Sequence, residues 1–302
     1  MALTVRPARA DDKPALMDIA RRVWDGHDYL PVFFDRWVRE GGFWVGTDRG
    51  RVIGCGKATR LGPGEWWLEG LRVDPDLQGH GLGTRLSLAI LNRTLAHAPR
   101  SLRLSTAEAN RESIRIITRM GFVPLFATRQ YRGRPGRTGA DRRPGRAVPV
   151  SAPEAGALLA RHPETWLKCG LLSHTWKFKE LNPRRLRQLE RRDQLLGVRE
   201  RGRLAGLLVA RPHLYNPRNL DIGFVSGTAS ALAGFRGLIA RRLAETGGDS
   251  LSATASSPEM WAALGRLGLS PERGFGRVLV FEHFGGSAPA GRVRRGKRQA
   301  GW

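Results

Sequence analysis

The chain has 302 residues, 41% of them hydrophobic, with nine Trp and eleven Phe, which is enough for two ordinary cores. Lys and Arg number 51 against 27 acidic residues, a net charge of +24, and the two cysteines, Cys55 and Cys169, are too few for a disulfide framework or a thiolate metal cluster. No apolar run approaches the roughly 20 residues that cross a membrane, and the opening MALTVRPARADDK has no signal-like apolar stretch, so a cytoplasmic protein is expected.

Taken in chain order, VRPARADDKPALMDIARRVW reads as a short strand followed by a helix. Asp11 or Asp12 is its N-cap, Pro14 lies near its first turn, and Leu16, Ile19 and Val23 share one stripe. Residues 25–37, with Tyr29, Phe33, Phe34 and Trp37, are expected as a second helical segment. Residues 43–61 give two strands joined at Asp48-Arg49-Gly50, a hairpin signal. EWWLEGLRV (65–73) is the next strand. It feeds Asp74-Pro75, the glycine-rich Gln78-Gly79-His80-Gly81-Leu82-Gly83, and an apolar-periodic run at 86–91. A strand at 101–109, a helix capped by Asn110 and stopped at Gly121-Phe122, and a strand at 122–132 complete the first half.

Residues 133–147 are Arg, Gly and Pro with almost no apolar content and read as a linker. The pattern then restarts. Ser151 and Glu154 have capping-box spacing, and LLGVRERGRLAGLLVA (195–210) aligns with FWVGTDRGRVIGCGKA (43–58). Strand, helix, strand, helix and strand follow as before, so residues 148–284 repeat 1–132 at a period near 150. The repeat replaces QGHGLG with GTASALAG and loses the convergent glycines. Residues 285–302 form a basic tail without periodicity, expected to be flexible.

A strand, a glycine-rich loop and a helix start in that order make an anion cradle. Glycines let backbone N–H groups converge on phosphate oxygens, and the helix adds its positive end. Groups from about Gln78 to Thr84 are placed to do this. No Lys-Ser/Thr follows in Walker spacing, which argues against ATP hydrolysis, and no third glycine sits where a Rossmann dinucleotide site requires one.

The segment LRVDPDLQGHGLGT resembles the pyrophosphate loop of the GCN5-related N-acetyltransferases, V-x-P-x-x-(Q/R)-x-x-G-x-(G/A). Residues 110–122 resemble the same family's N-x-x-A-x-x-L-Y-x-K-x-G-F. The tandem arrangement is similar to that of mycothiol synthases and histidine N-acetyltransferase-like proteins. The resemblance implies an α/β protein of two tandem folds, each a mixed, mainly antiparallel sheet flanked by helices and splayed at the strand ending at Val73. It also implies transfer of acetyl from acetyl-CoA to a primary amine, of a small molecule or free amino acid, without a metal. Residues 1–132 would be the catalytic copy and 148–284 a degenerate one.

CoA would be bound by Leu71, Val73, Gln78, Gly79, His80, Gly81, Leu82, Gly83, Thr84, Asn110, Ser113 and Ile117. Ile117 stands where the family often has a Tyr that protonates the leaving thiolate, so the acid must come from elsewhere, with Tyr131 and Ser113 as candidates. Glu69 is the candidate base or amine anchor, and strand alternation puts it on one face with Leu71 and Val73. His27, Asp28, Tyr29 and Trp67 are candidates for the acceptor side. Two other readings stay open: an acyl-CoA-binding sensor without turnover, and an RNA- or ribosome-associated protein N-terminal acetyltransferase that uses the positive charge, with nucleic acid docking on the basic tail.

Overall fold

A computed structural model describes residues 2–134, 147–161, 170–274 and 276–284. Most of the expected linker, Cys169 and the basic tail at 285–302 lie outside the described residues.

The first half runs β1 (Leu3–Pro7), α1 (Lys13–Arg21), α2 (Leu30–Glu40), β2 (Phe43–Asp48), β3 (Arg51–Gly62), β4 (Glu65–Val73), α3 (Leu82–Leu95), β5 (Ser101–Ala107), α4 (Arg111–Arg119) and β6 (Phe122–Gly133). The second continues with β7 (Ala147–Pro149), α5 (Ala152–Arg161), β8 (Leu171–His174), β9 (Lys177–Glu180), α6 (Pro183–Glu190), β10 (Leu195–Glu200), β11 (Arg203–Pro212) and β12 (Asn219–Gly227). It ends with α7 (Ala229–Thr246), β13 (Ser250–Ala255), α8 (Pro258–Arg266), β14 (Leu269–Pro271) and β15 (Arg277–His283).

Local chemistry sets most of these boundaries. Pro14 opens α1, and Leu16, Ile19 and Ala20 bury its apolar stripe. The second helix starts later than the aromatic spacing suggests. Residues 24–26 make a tight 3-10 turn, and the Asp28 carboxylate takes the Leu30 N–H at 2.8 Å, so α2 begins only there.

The repeat is visible in the backbone. Arg49 and Gly50 take φ values of 48° and 82°, and Arg201 and Gly202 take 48° and 76°. The two hairpins also carry a register shift at the same place, between Gly46 and Thr47 and between Val198 and Arg199.

Thirteen strands form one sheet in the order β1-β2-β3-β4-β5-β15-β6-β13-β12-β11-β10-β7, with β14 beside β6. Each half inserts its last long strand into the other: β15 lies between β5 and β6, and β6 between β15 and β13. The sequence boundary near 133–147 therefore does not divide the sheet. Pairing across about 150 residues leaves no trace in local periodicity. A separate hairpin, β8 with β9, packs Leu171 and Phe178 on Trp67 and Phe126, while Leu172 joins the core of the second half.

Two departures from regular pairing shape the first half. The strands β4 and β5 run parallel but pair only at Glu65–Trp67 with Ser101–Arg103, so among the described residues β4 has an open edge from Leu68 onward. Opposite β3, β4 holds one extra residue: Arg72 faces Cys55 and Glu69 faces Lys57, leaving two β4 residues against Gly56. Gly70 makes this bulge with φ 73°, and a Cβ there would stand 2.7 Å from the Trp37 ring.

Candidate active site

The bulge corrects the alternation expected for β4. Leu71 packs with Leu86 and Ile90 of α3, and Val73 lies beside Gly83 at the head of that helix. Glu69 points to the other face, where α1 and α2 lie, and so does Arg72. A base on Glu69 therefore stands across the sheet from the residues with which strict alternation groups it.

The loop after β4 is anchored from below and bare above. Asp74 is buried, takes the Asp76 N–H at 3.2 Å, and is held by Arg22 at 3.0 Å and Arg51 at 2.9 Å. Gly79 and Gly81 take φ values of 83° and 71°, and a Cβ on either would meet nothing within 4 Å. Gly81 is the N-cap of α3 and brings no capping side chain. The first-turn amides of a helix have no acceptor within it, and those of residues 79–84 find no partner among the described residues. Gln78 is extended and exposed, and the His80 ring turns back to the Gln78 carbonyl at 3.0 Å. Buried Leu82 and half-buried Gly83 and Thr84 seat the helix. Six adjacent unpaired donors at a helix N-terminus fit a diphosphate. The open edge of β4 beside them fits an extended, amide-bearing arm.

Further from the loop, the Asn110 side-chain Oδ1 caps α4 by accepting the Ser113 N–H at 3.0 Å. Ile117 is 6% exposed and packs with Leu91, Leu102, Leu104 and Phe122. It belongs to the core between α3, α4 and β5, whereas Ile116 reaches toward Gly83.

The acceptor candidates also have fold duties. Asp28 holds Arg72 through both carboxylate oxygens, at 2.5 and 2.8 Å, with both side chains almost fully buried. The Arg72 guanidinium lies over the Tyr29 ring at 4.4 Å and the Trp24 ring at 4.8 Å. Tyr29 itself packs on Phe33, Trp37 and Tyr215. Trp67 is a core residue, 2% exposed, and His27 is exposed. Beside this cluster, burial pushes the Cys55 thiol up to about 12.

Glu69 is held by residues that sequence reasoning missed. Its Oε1 accepts from the Thr59 hydroxyl at 2.6 Å and from Lys177 Nζ at 2.5 Å, while Oε2 takes no hydrogen bond among the described residues. Thr59 and Lys177 line a cavity of about 530 Å³ between α2, β3 and β9 that also includes Lys57 and Lys179. Burial lowers the Lys57 ammonium, with Glu40 opposing it. The signal for Lys177 and Lys179 was the alternation Lys-Phe-Lys, which marks a short strand with one buried face. Glu65, the other carboxylate on β4, is structural: it accepts the Glu180 N–H at 2.6 Å and pairs with Arg185 at 3.2 Å.

Comparison with known proteins agrees with this geometry. The acetyltransferase (GNAT) family model matches residues 13–122. A mycothiol acetyltransferase from Amycolatopsis mediterranei (strain U-32) is 30% identical over 140 residues, covering 43% of this chain and 39% of that protein, so well under half of the relative is matched. Among solved structures, a GCN5-related N-acetyltransferase from Sphaerobacter thermophilus superposes with a TM-score of 0.61 at 15% identity, over 93% of this chain and 95% of that one. A tandem GNAT protein from the clavulanic acid biosynthesis pathway gives 0.60 at 16% identity, over 95% and 100%. At such identities the structural likeness shows the fold alone, and that fold spans both halves. Residues 13–122 thus match the acetyltransferase (GNAT) family, and the two halves of the chain together have the fold of the tandem GNAT protein.

Proposed function

We propose that this protein transfers acetyl from acetyl-CoA to a primary amine, of a small molecule or a free amino acid, by direct attack within a ternary complex. The row of bare amides at 79–84, beside the unpaired edge of β4, carries this reading. CoA would supply the acyl group as an activated thioester. Gln78, Gly79, His80, Gly81, Leu82, Gly83 and Thr84 would hold its diphosphate through the backbone, and Leu71 and Val73 would border its arm. The likeness to a mycothiol acetyltransferase supports acetyl transfer to a small molecule.

An attacking amine must be neutral, and a positioned carboxylate removes its proton. Glu69 is suited to this because Thr59 and Lys177 fix one of its oxygens and leave Oε2 free. Thiol release from acetyl-CoA in the presence of an amine panel tests the activity. Glu69→Gln should lower kcat about 100-fold and leave CoA affinity unchanged by calorimetry. A variant as fast as the parent removes Glu69 as the base.

A second reading, an acyl-CoA-binding sensor without turnover, is favoured by Ile117, which brings no hydroxyl and lies in the core. CoA binding with no thiol release from any amine would select it.

A further inference from the structure

The cavity beside Glu69 holds more positive charge than its own carboxylates answer. Among the described residues, six cations line it: Arg36, Lys57, Arg60, Arg93, Lys177 and Lys179, with Glu40 as the one acidic residue. The fold accounts for four. Arg36 pairs with Glu40 at 2.6 Å, and Lys57 donates to the Gly41 carbonyl at the end of α2 at 2.6 Å. Arg93 donates to the carbonyls of Ala89 and Val5, both at 3.0 Å, and Lys177 holds Glu69.

The side chains of Arg60 and Lys179 make no hydrogen bond or ion pair among the described residues. Arg60 is exposed. Lys179 is partly buried on β9. Arg211 of β11, Arg185 of α6 and Lys177 of its own strand repel its charge, and Glu65 of β4 opposes them. Glu65 is already taken by Arg185 and the Glu180 N–H. Burial, then Arg211 and Arg185, push the Lys179 ammonium down to about 7. An uncompensated, partly buried ammonium among other cations is unfavourable in the free protein, and a bound anion would relieve it.

We propose that the amine accepted here also carries a carboxylate or phosphate group, and that this anionic group seats against Lys179, with Arg60 as a second cation. The statement about the amine rests on the acetyl-transfer reading; the anion seat does not. A molecule held at Lys179 occupies the cavity whose wall, at Thr59 and Lys177, is bonded to Glu69.

Two experiments separate these ideas. Thiol release is compared within matched pairs, 4-aminobutyrate against butylamine and phosphoethanolamine against ethanolamine. The anionic member should have a kcat/KM at least about tenfold higher, and Lys179→Met should remove that preference. The pair showing the larger ratio tells carboxylate from phosphate. Separately, glutarate and inorganic phosphate are titrated calorimetrically into the parent protein, Lys179→Met and Lys179→Arg. The Met variant should bind at least one of them about tenfold more weakly, and the Arg variant should retain binding. CoA should titrate alike in all three, which shows that they are folded.

Equal turnover of neutral and anionic amines, or anion binding unchanged in Lys179→Met, overturns the proposal. Lys179-dependent anion binding with no thiol release from any amine would leave the seat standing and overturn acetyl transfer instead.

Discussion

The heads of α3 and α7 stand at matching places in the two halves, each following a strand that runs parallel to the next. At α3 the N-cap is Gly81, with no side chain, and the first-turn amides are bare. At α7 the N-cap is Thr228, whose hydroxyl accepts the Ala231 N–H at 3.1 Å and donates to Glu200 at 2.5 Å. The second helix head already has its own acceptor, and a carboxylate stands beside it. A diphosphate would meet fewer free donors there and a like charge. The cleft next to it, about 480 Å³ and lined in part by Val225, Leu232 and Met260, remains open. One backbone plan thus yields a bare helix head in one half and a self-capped one in the other.

The two halves also bury ion pairs of different quality. Arg72 and Asp28 meet through two hydrogen bonds at 2.5 and 2.8 Å. Arg211 and Asp221 approach only to 3.7 Å, and Arg211 spends an N–H on the Ser173 carbonyl. Burial, opposed by Arg211, pushes the Asp221 carboxyl up to about 6.

The sharpest way to break the first contrast is Gly81→Glu, which puts a carboxylate among the bare amides. CoA affinity should fall at least about 1000-fold, more than about 4 kcal/mol, by calorimetry. Gly81→Ala adds only the cost of a left-handed backbone and should lose far less, about tenfold. Undiminished binding by the Glu variant would remove the loop from the CoA site.

Next in size is Asp28→Ala. It strands a buried guanidinium and should cost about 3–5 kcal/mol in urea unfolding. A loss below about 1 kcal/mol would mean that Arg72 finds another partner.

The Asp221 pair is read through pH. Its folded pKa of about 6 lies above the ordinary 3.8. Its stabilising contribution is therefore complete below pH 3.8 and is lost as pH rises through about 6, a span worth roughly 2–3 kcal/mol. His213, pushed down to about 4 by burial, acts in the opposite sense: its contribution is present above its ordinary 6.5 and is lost as pH falls through about 4. The parent and Asp221→Asn are therefore compared at each pH from 4 to 7. The variant should lack the Asp221 component, and parallel profiles would contradict it.

The smallest effect expected is at the other helix head. Thr228→Ala should destabilise by about 1 kcal/mol, measured by the urea midpoint, through loss of the cap. No change would mean that water replaces the hydroxyl at α7.

Much of this protein was legible residue by residue. The turn at Arg49-Gly50 and its copy at Arg201-Gly202, the cap at Asn110 and the glycine loop at 79–81 are local chemistry, in which φ freedom, short polar side chains and spacing act over a few residues. The face of Glu69 was not legible. Alternation holds only for an unbroken strand, and at Gly70 the strand bulges against the Trp37 ring of a distant helix, which leaves no room for a Cβ. Asp28 and Trp67 looked free to meet a substrate, yet Arg72 and Phe178 hold them from elsewhere in the chain.

The sequence by itself marked every helix but α6, the hairpins at Arg49-Gly50 and Arg201-Gly202, the tandem repeat and which helix head is bare, because each depends on residues near in sequence. Only the tertiary structure decided the exchange of β6 and β15, the hairpin that brings Lys177 to Glu69, and the cationic cavity around Lys179. Those contacts join residues from about 80 to about 180 positions apart. Their energy comes from burial and charge pairing between surfaces that periodicity does not match to one another.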